Sequence, residues 1–160
     1  MRTKVLGFAF AGLAAFSTVT SASDDALLMD KKVLTLAAAR KIITAAESEA
    51  RERGVGVVTV VVDDAGNIIQ LSRMDTAQVA SVEVGIGKAR TAAIFRRPSR
   101  VFEEQIAQGR VAALALTGAT ALQGGVPVLV DGKVVGAVGV SGDTPAVDEA
   151  IAIAGANVMQ

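Results

Sequence analysis

Polar and sulfur-containing side chains occur at the ends of two predicted strands of this chain and on the helix between them. They are Arg73, Met74, Asp75, Lys88 and the pair Ser141-Gly142. Strand ends and helix starts are where a scaffold usually presents binding groups. An arginine and a lysine that face each other could hold the carboxylates of a small molecule. Two other interpretations fit the pattern equally well: an internal salt bridge at residues 73–75, and a Lys88 that is only solvated.

The absence of two residue types limits the chemistry of any site. The sequence contains no histidine and no cysteine. This excludes triads and dyads built on imidazole or thiolate, zinc sites with those ligands, and disulfide bonds. A general base must be Asp, Glu or Lys, and Asp148 or Glu149 could serve as acid or base. Metal ligands are restricted to carboxylate, hydroxyl, backbone, Met or Lys groups.

Length and composition predict one domain with an aliphatic core. The chain has 160 residues, of which 51% are apolar and only 3% aromatic. Because no basic patch stands out and few aromatic side chains could stack on bases, nucleic-acid binding is not expected.

Residues 1–22 have the features of a cleavable signal peptide. Arg2 and Lys4 form a basic start, a mainly apolar uncharged run follows at residues 5–16, and small residues come next. The apolar run is too short to span a bilayer. We therefore expect a periplasmic or secreted protein without a membrane span. Its mature chain would begin near Ser23, with a flexible segment at residues 23–33 before the domain at 34–160.

The first part of this domain reads as a helix followed by a hairpin. Thr35 can cap a helix that runs to about Arg53. Residues 55–62 are almost continuous valine, which is typical of a strand buried on both faces. A turn at residues 63–67 leads into the returning strand 68–72.

The middle of the chain has helical spacing at residues 77–95. Gly85 and Gly87 inside this helix indicate that another element packs closely there, because interior glycine otherwise weakens a helix. Ser99 can cap a shorter helix to about Gln108. Residues 111–116 read as a further strand.

Residues 124–142 predict a second hairpin around the turn pair Asp131-Gly132. Glycines in its second strand, among them Gly139, indicate close approach by a backbone or a ligand, and packing of a helix or subunit on the sheet is the favoured interpretation. Asp143 or Thr144 can cap a final helix, with Pro145 at its first position. Ile151 and Ile153 cannot share one helix face, which predicts broad burial of this helix. The order of elements favours an α+β domain with an antiparallel sheet.

Four sequence blocks, taken together, resemble the GlcG/HbpS family of haem-binding domains (DUF336), which is itself similar to the C-terminal domain of PduO-type proteins. The blocks are residues 61–75 (VVDDAGNIIQLSRMD), 87–95 (GKARTAAIF), 124–141 (GGVPVLVDGKVVGAVGVS) and 148–156 (DEAIAIAGA). The resemblance runs from about Leu34 onward. It implies a profilin-like α/β/α sandwich with a central antiparallel sheet flanked by helices. It also implies homo-oligomers, from dimers to octamers, and haem as a cofactor of some members.

The sequence departs from the family pattern at two places and in its ligand chemistry. Thr76 stands where a glycine commonly follows the RMD triplet, and residues 117–122 are less proline-rich than usual. Haem ligation by histidine is impossible here. An iron would need Met74, Lys88, another Lys or Met, or a hydroxyl. Alternatively, haem could be held through its propionates by Arg or Lys, with weak or absent axial ligation.

Our leading hypothesis from the sequence is an exported, homo-oligomeric protein that binds a small molecule, with haem or a related tetrapyrrole as the first candidate. In this hypothesis the pocket is formed by Arg73, Met74, Asp75, Lys88, Gly125 and Ser141, and it could lie at a subunit interface. One alternative is an enzyme or enzyme accessory for a small carboxylate or carbonyl metabolite, with Asp75, Lys88 or Glu149 as acid or base. The other is a structural partner protein whose apolar, glycine-marked faces are assembly surfaces.

Overall fold

A four-stranded antiparallel sheet lies at the centre of the structure, a computed structural model that describes residues 27–160. The predicted signal peptide at 1–22 lies outside the described residues, as do residues 23–26 of the predicted flexible segment. Within the described part, the helices are α1 (Leu36–Glu52), α2 (Ser81–Ile94), α3 (Arg100–Ala107) and α4 (Pro145–Ala156). The strands are β1 (Val58–Asp63), β2 (Ile68–Arg73), β3 (Gly125–Val130) and β4 (Lys133–Ser141).

The strand order β2-β1-β4-β3 puts the two most buried strands in the middle of the sheet. All three neighbouring pairs are antiparallel, as predicted. Val58–Val62 of β1 is fully buried, which confirms the prediction drawn from its run of valines. Asp131 and Gly132 connect β3 to β4 with positive φ angles of 51° and 72°, the left-handed pair that a two-residue hairpin turn requires.

Helices cover both faces of the sheet, because side chains of β1 alternate between them. One apolar cluster joins α1 and α4 to Val57, Val61, Val138 and Val140. The other joins α2 to Val58, Val60, Val62 and Ala137. The result is the expected α/β/α sandwich. Helix α2 lies on one side, and α1 and α4 lie on the other.

The prediction of a strand at residues 111–116 is wrong. Val111–Ala115 forms a 3₁₀ helix, and the side chains of Val111 and Leu114 are 65% and 69% exposed. Three of its five residues are alanines, which have no branched side chain to favour the extended backbone. Apolar content alone was therefore a poor guide to this segment.

The prediction that α4 is broadly buried is also wrong. Ile151 is fully buried, whereas Ile153 is 43% exposed. Only one face of α4 packs on α1 and the sheet, so two residues separated by half a helical turn cannot both be covered. The predicted cap is confirmed, since Thr144 Oγ1 accepts a hydrogen bond from Val147 N and Pro145 is the first helical residue.

Candidate functional site

Five of the six residues proposed from the sequence lie at one end of the sheet. At this end β2 and β4 finish while β1 and β3 begin, because neighbouring strands are antiparallel. Val58 of β1 pairs with Arg73 on one side and with Ser141 on the other, so these residues form one row across three strands. Gly125 begins β3, and Met74 and Asp75 follow β2 directly.

The proposed site residues at this end lie on both faces of the sheet. Residues that pair directly across antiparallel strands point to the same face, so Arg73 and Ser141 share the α2 face with Val58. Met74 instead packs against the cluster under α1 and α4. Arg73 is exposed, while Ser141 is 7% exposed. Adjacent positions in the sequence therefore present the guanidinium and the thioether on opposite sides.

Lys88, the sixth residue, is buried on α2 and its ammonium already has partners. Its Nζ lies 2.7 Å from Asp148 Oδ2 and donates to the backbone oxygen of Val140 at 3.0 Å. The side chains of Lys88 and Asp148 are 4% and 2% exposed. The solvated interpretation of Lys88 is excluded. Its assignment as a ligand-binding cation stays a prediction, and in this structure the ammonium binds the protein itself.

Asp148 is held by two different donors. Its Oδ2 binds the Lys88 ammonium, and its Oδ1 accepts a hydrogen bond from the backbone N–H of Asp143 at 3.0 Å. Burial raises the pKa of Asp148 above its ordinary value of 3.8, and the hydrogen bond from Lys88 opposes that shift. The carboxylate therefore serves to bind Lys88 and the turn before α4.

The double glycine at the start of β3 makes room for this pair. A Cβ at Gly124 would lie 2.9 Å from Lys88 Nζ and 2.8 Å from the Val140 oxygen, and its φ is +122°. A Cβ at Gly125 would collide with the backbone oxygen of Lys88 and lie 2.9 Å from Ser99 Oγ. Gly125 therefore allows α2 to pack closely against the start of β3, which is a structural role.

A second polar network, which the sequence did not reveal, surrounds the same glycines. Glu149 is 8% exposed, accepts a hydrogen bond from Gln123 Nε2 at 2.6 Å, and lies 3.1 Å from Arg100 Nε. Ser99, expected only to cap α3, makes no cap hydrogen bond and instead donates to Leu122 O and accepts from Gly125 N. No local motif signals these contacts, because their partners are more than twenty residues apart.

Glycines in β4 and directly after it are packed by the protein's own backbone. A Cβ at Gly139 would meet the oxygen of Gly85 and lie 2.5 Å from Ala89 N, both on α2. A Cβ at Gly142 would lie 2.5 Å from the oxygen of Gly56. This confirms the interpretation that Gly85 and Gly139 permit close packing of a helix on the sheet.

Other candidate features in the described residues are few. Residues 27–160 contain no group of three acidic side chains that could hold a metal ion. In the same range, no helix is both long and apolar enough to cross a bilayer. A groove lined by residues 129–132, Met159 and Gln160 lies at the tip of the β3–β4 hairpin, away from Arg73 and Ser141.

Comparison with known proteins identifies the family. The family model described as "Haem degrading protein HbpS-like" matches residues 34–157. The chain belongs to the HbpS-like family. Protein GlcG of Escherichia coli strain K12 is 43% identical over 111 residues, which are 69% of this chain and 83% of GlcG.

Two solved structures are similar to this HbpS-like chain over most of its length. A double mutant of Streptomyces reticuli HbpS has a TM-score of 0.76 at 33% identity and covers 95% of this chain and 99% of its own. A PduOC:haem complex has a TM-score of 0.74 at 25% identity, with coverage of 81% and 96%. At the level of the family, these matches support a haem-related binding function.

Proposed function

We propose that this protein is exported and binds haem or a related tetrapyrrole. The observation that carries the proposal is the likeness of nearly the whole domain, in sequence order and in fold, to HbpS and to the PduOC:haem complex. Arg73, exposed at the end of the sheet beside the buried Ser141, marks the proposed contact surface.

The side chains at this surface fit the carboxylates of a haem better than its iron. Arg73 is exposed and can donate paired hydrogen bonds to a propionate. The sequence offers neither imidazole nor thiolate, and Met74 packs on the opposite face against the core. Bound haem would supply an apolar macrocycle and two acidic groups. The protein would then hold it through arginine and apolar contacts with little or no axial ligation.

A haemin titration followed in the Soret region tests this proposal. We expect a saturable, stoichiometric shift, and about three- to tenfold weaker binding for Arg73→Gln because a charge-assisted hydrogen bond is lost. Arg40→Gln, which removes an exposed arginine from α1, is the matched control and should bind as the wild type does. Met74→Leu should leave the position of the band unchanged. A displaced band in that variant would instead assign the iron ligand to Met74.

A flat or non-saturable response would remove haem as the ligand. The small-carboxylate alternative from the sequence would then come first. The family description favours one further readout, loss of the Soret band over time when hydrogen peroxide is added. Such a loss, measured against free haemin, would indicate degradation as well as binding.

A further inference from the structure

The Lys88–Asp148 pair connects two helices that lie on opposite faces of the sheet. Helix α2 carries Lys88 and packs on the face of Val58 and Val60, whereas α4 carries Asp148 and packs on the other face. The ammonium passes the end of the sheet beside Gly124, where the missing side chain leaves room for it. The bond therefore crosses from one layer of the sandwich to the other.

The contacts of the pair lie on either side of Ser141, at Val140 in β4 and at Asp143 in the turn 142–144 between β4 and α4. Lys88 Nζ donates to Val140 O near the end of β4, and Asp148 Oδ1 accepts from Asp143 N within the turn. Val140 N in turn donates to Gly124 O at 2.9 Å. We infer that Lys88 and Asp148 are a positioning pair that fixes the turn at 142–144 and, through it, the place of Ser141.

A general argument about buried ions favours this role over simple stabilisation. Two charges in an apolar interior lose hydration, and a pair of apolar side chains of similar size is often at least as stable. An apolar pair cannot make directional contacts, whereas the ammonium and the carboxylate bind each other, Val140 O and Asp143 N in one geometry. Removing one charge leaves the other buried without its partner, while removing both relieves that penalty and leaves the turn without its connection to α2.

Amide hydrogen exchange measured on three variants of the purified protein separates the two roles. The variants are Lys88→Met, the double variant Lys88→Met with Asp148→Asn, and Ile42→Val as a control that weakens the core elsewhere. The reporters are the amides of Asp143 and Val140, and the amide of Leu71 on β2 serves as the internal reference. Global stability is measured in parallel by urea unfolding.

We expect the double variant to regain most of the stability that Lys88→Met loses, because no unpaired charge remains. Exchange at Asp143 should nevertheless stay at least tenfold faster than in the wild type, whereas Leu71 follows global stability. Ile42→Val should change both amides in proportion. The inference is overturned if protection of Asp143 in the double variant returns together with global stability. The double variant keeps the test available should Lys88→Met not fold.

The importance of this turn for a ligand rests on the proposed function, and haemin binding by the same variants tests it separately. If the turn loosens and haemin affinity falls at least threefold, both the positioning role and the site near Ser141 are supported. If the turn loosens and affinity is unchanged, the pair still positions the turn but the site does not include Ser141. If no variant and no wild type binds haemin, only the proposed function fails.

Discussion

Gly139 shows how one residue decides the distance between a helix and the sheet. It lies near the end of β4, opposite Val60 on one side and Gly125 on the other, directly beneath α2. With no side chain there, backbone atoms of Gly85 and Ala89 come into contact with the strand. A residue that disfavours a strand is thus required by packing between layers.

Substitution Gly139→Ala should lower the free energy of unfolding by about 3 kcal/mol or prevent folding, because the new methyl group meets backbone atoms that cannot move aside. Gly54→Ala is the control. Its Cβ would have no neighbour within 4 Å, so only the left-handed φ of +71° opposes it, at a cost of about 1 kcal/mol. Urea unfolding of both variants gives the comparison. Equal losses in the two would contradict the close packing of α2.

Asp148 predicts a direction for the pH dependence of stability. Its folded pKa is raised above 3.8 by burial, against the opposing bond from Lys88, with Asp143 also near and acidic. The folded state then binds this proton more readily than the unfolded state. The contribution is fully present below pH 3.8 and is lost as the pH rises through the folded pKa.

The measurement compares wild type with Asp148→Asn, which cannot titrate. We expect the difference in unfolding free energy, wild type minus variant, to be larger at pH 3 than at pH 7. Other carboxylates titrate in both proteins and cancel in this difference. A difference that shrinks on acidification would mean that Lys88 dominates and holds the pKa of Asp148 down.

At the scale of elements, the starts of α1 and α4 are set locally by their caps, whereas strand neighbours are not set locally. Thr35 Oγ1 accepts from Ala38 N at 3.2 Å at the start of α1, where the sequence predicted a cap. The 3₁₀ helix Val111–Ala115 was misjudged as a strand. A short apolar run adopts an extended backbone only when a sheet edge receives it, and no local pattern reports whether such an edge exists.

Replacing Thr35 with alanine should destabilise the protein by about 1 kcal/mol, since the first turn of α1 loses its side-chain acceptor. Thr35→Ser keeps the hydroxyl and should stay close to the wild type. Thermal or urea unfolding distinguishes the two. If Thr35→Ala equals Thr35→Ser, the hydroxyl contributes nothing and the first turn is stabilised by packing alone.

At the scale of the whole molecule, the sandwich explains how a chain without disulfide bonds and with few aromatic residues can form a core. Valine, isoleucine and alanine fill both faces of the sheet, and small residues allow the layers to approach. The predicted homo-oligomer remains a prediction, to be tested by light scattering on the purified protein. Export also remains a prediction.

The predicted signal peptide can be tested by expressing the full sequence in a Gram-negative host. We expect the periplasmic fraction to contain a chain that begins at about Ser23, as measured by intact mass. Leu13→Arg should retain the precursor in the cytoplasm, because it places a charge in the apolar run. Leu28→Arg, beyond the predicted cleavage site, should be exported normally. Export of Leu13→Arg with the same efficiency would contradict the assignment.

The sequence by itself determined most of the elements and the family. Valine runs, the Asp131-Gly132 turn and the caps at Thr35 and Thr144 act over a few residues, so their outcomes can be read locally. Four sequence blocks in one order sufficed to indicate the sandwich. The row of Arg73 and Ser141 was also anticipated as a group, although not its geometry.

Only the tertiary structure decided what the polar residues do. Lys88 and Asp148 are 60 residues apart and meet because α2 and α4 both reach the same end of the sheet. Met74 and Arg73 are neighbours in sequence, yet they face opposite layers. Which residues meet over such separations depends on strand register and on where a glycine allows a helix to pack closely on the sheet. Both are properties of the packed molecule and not of any local pattern.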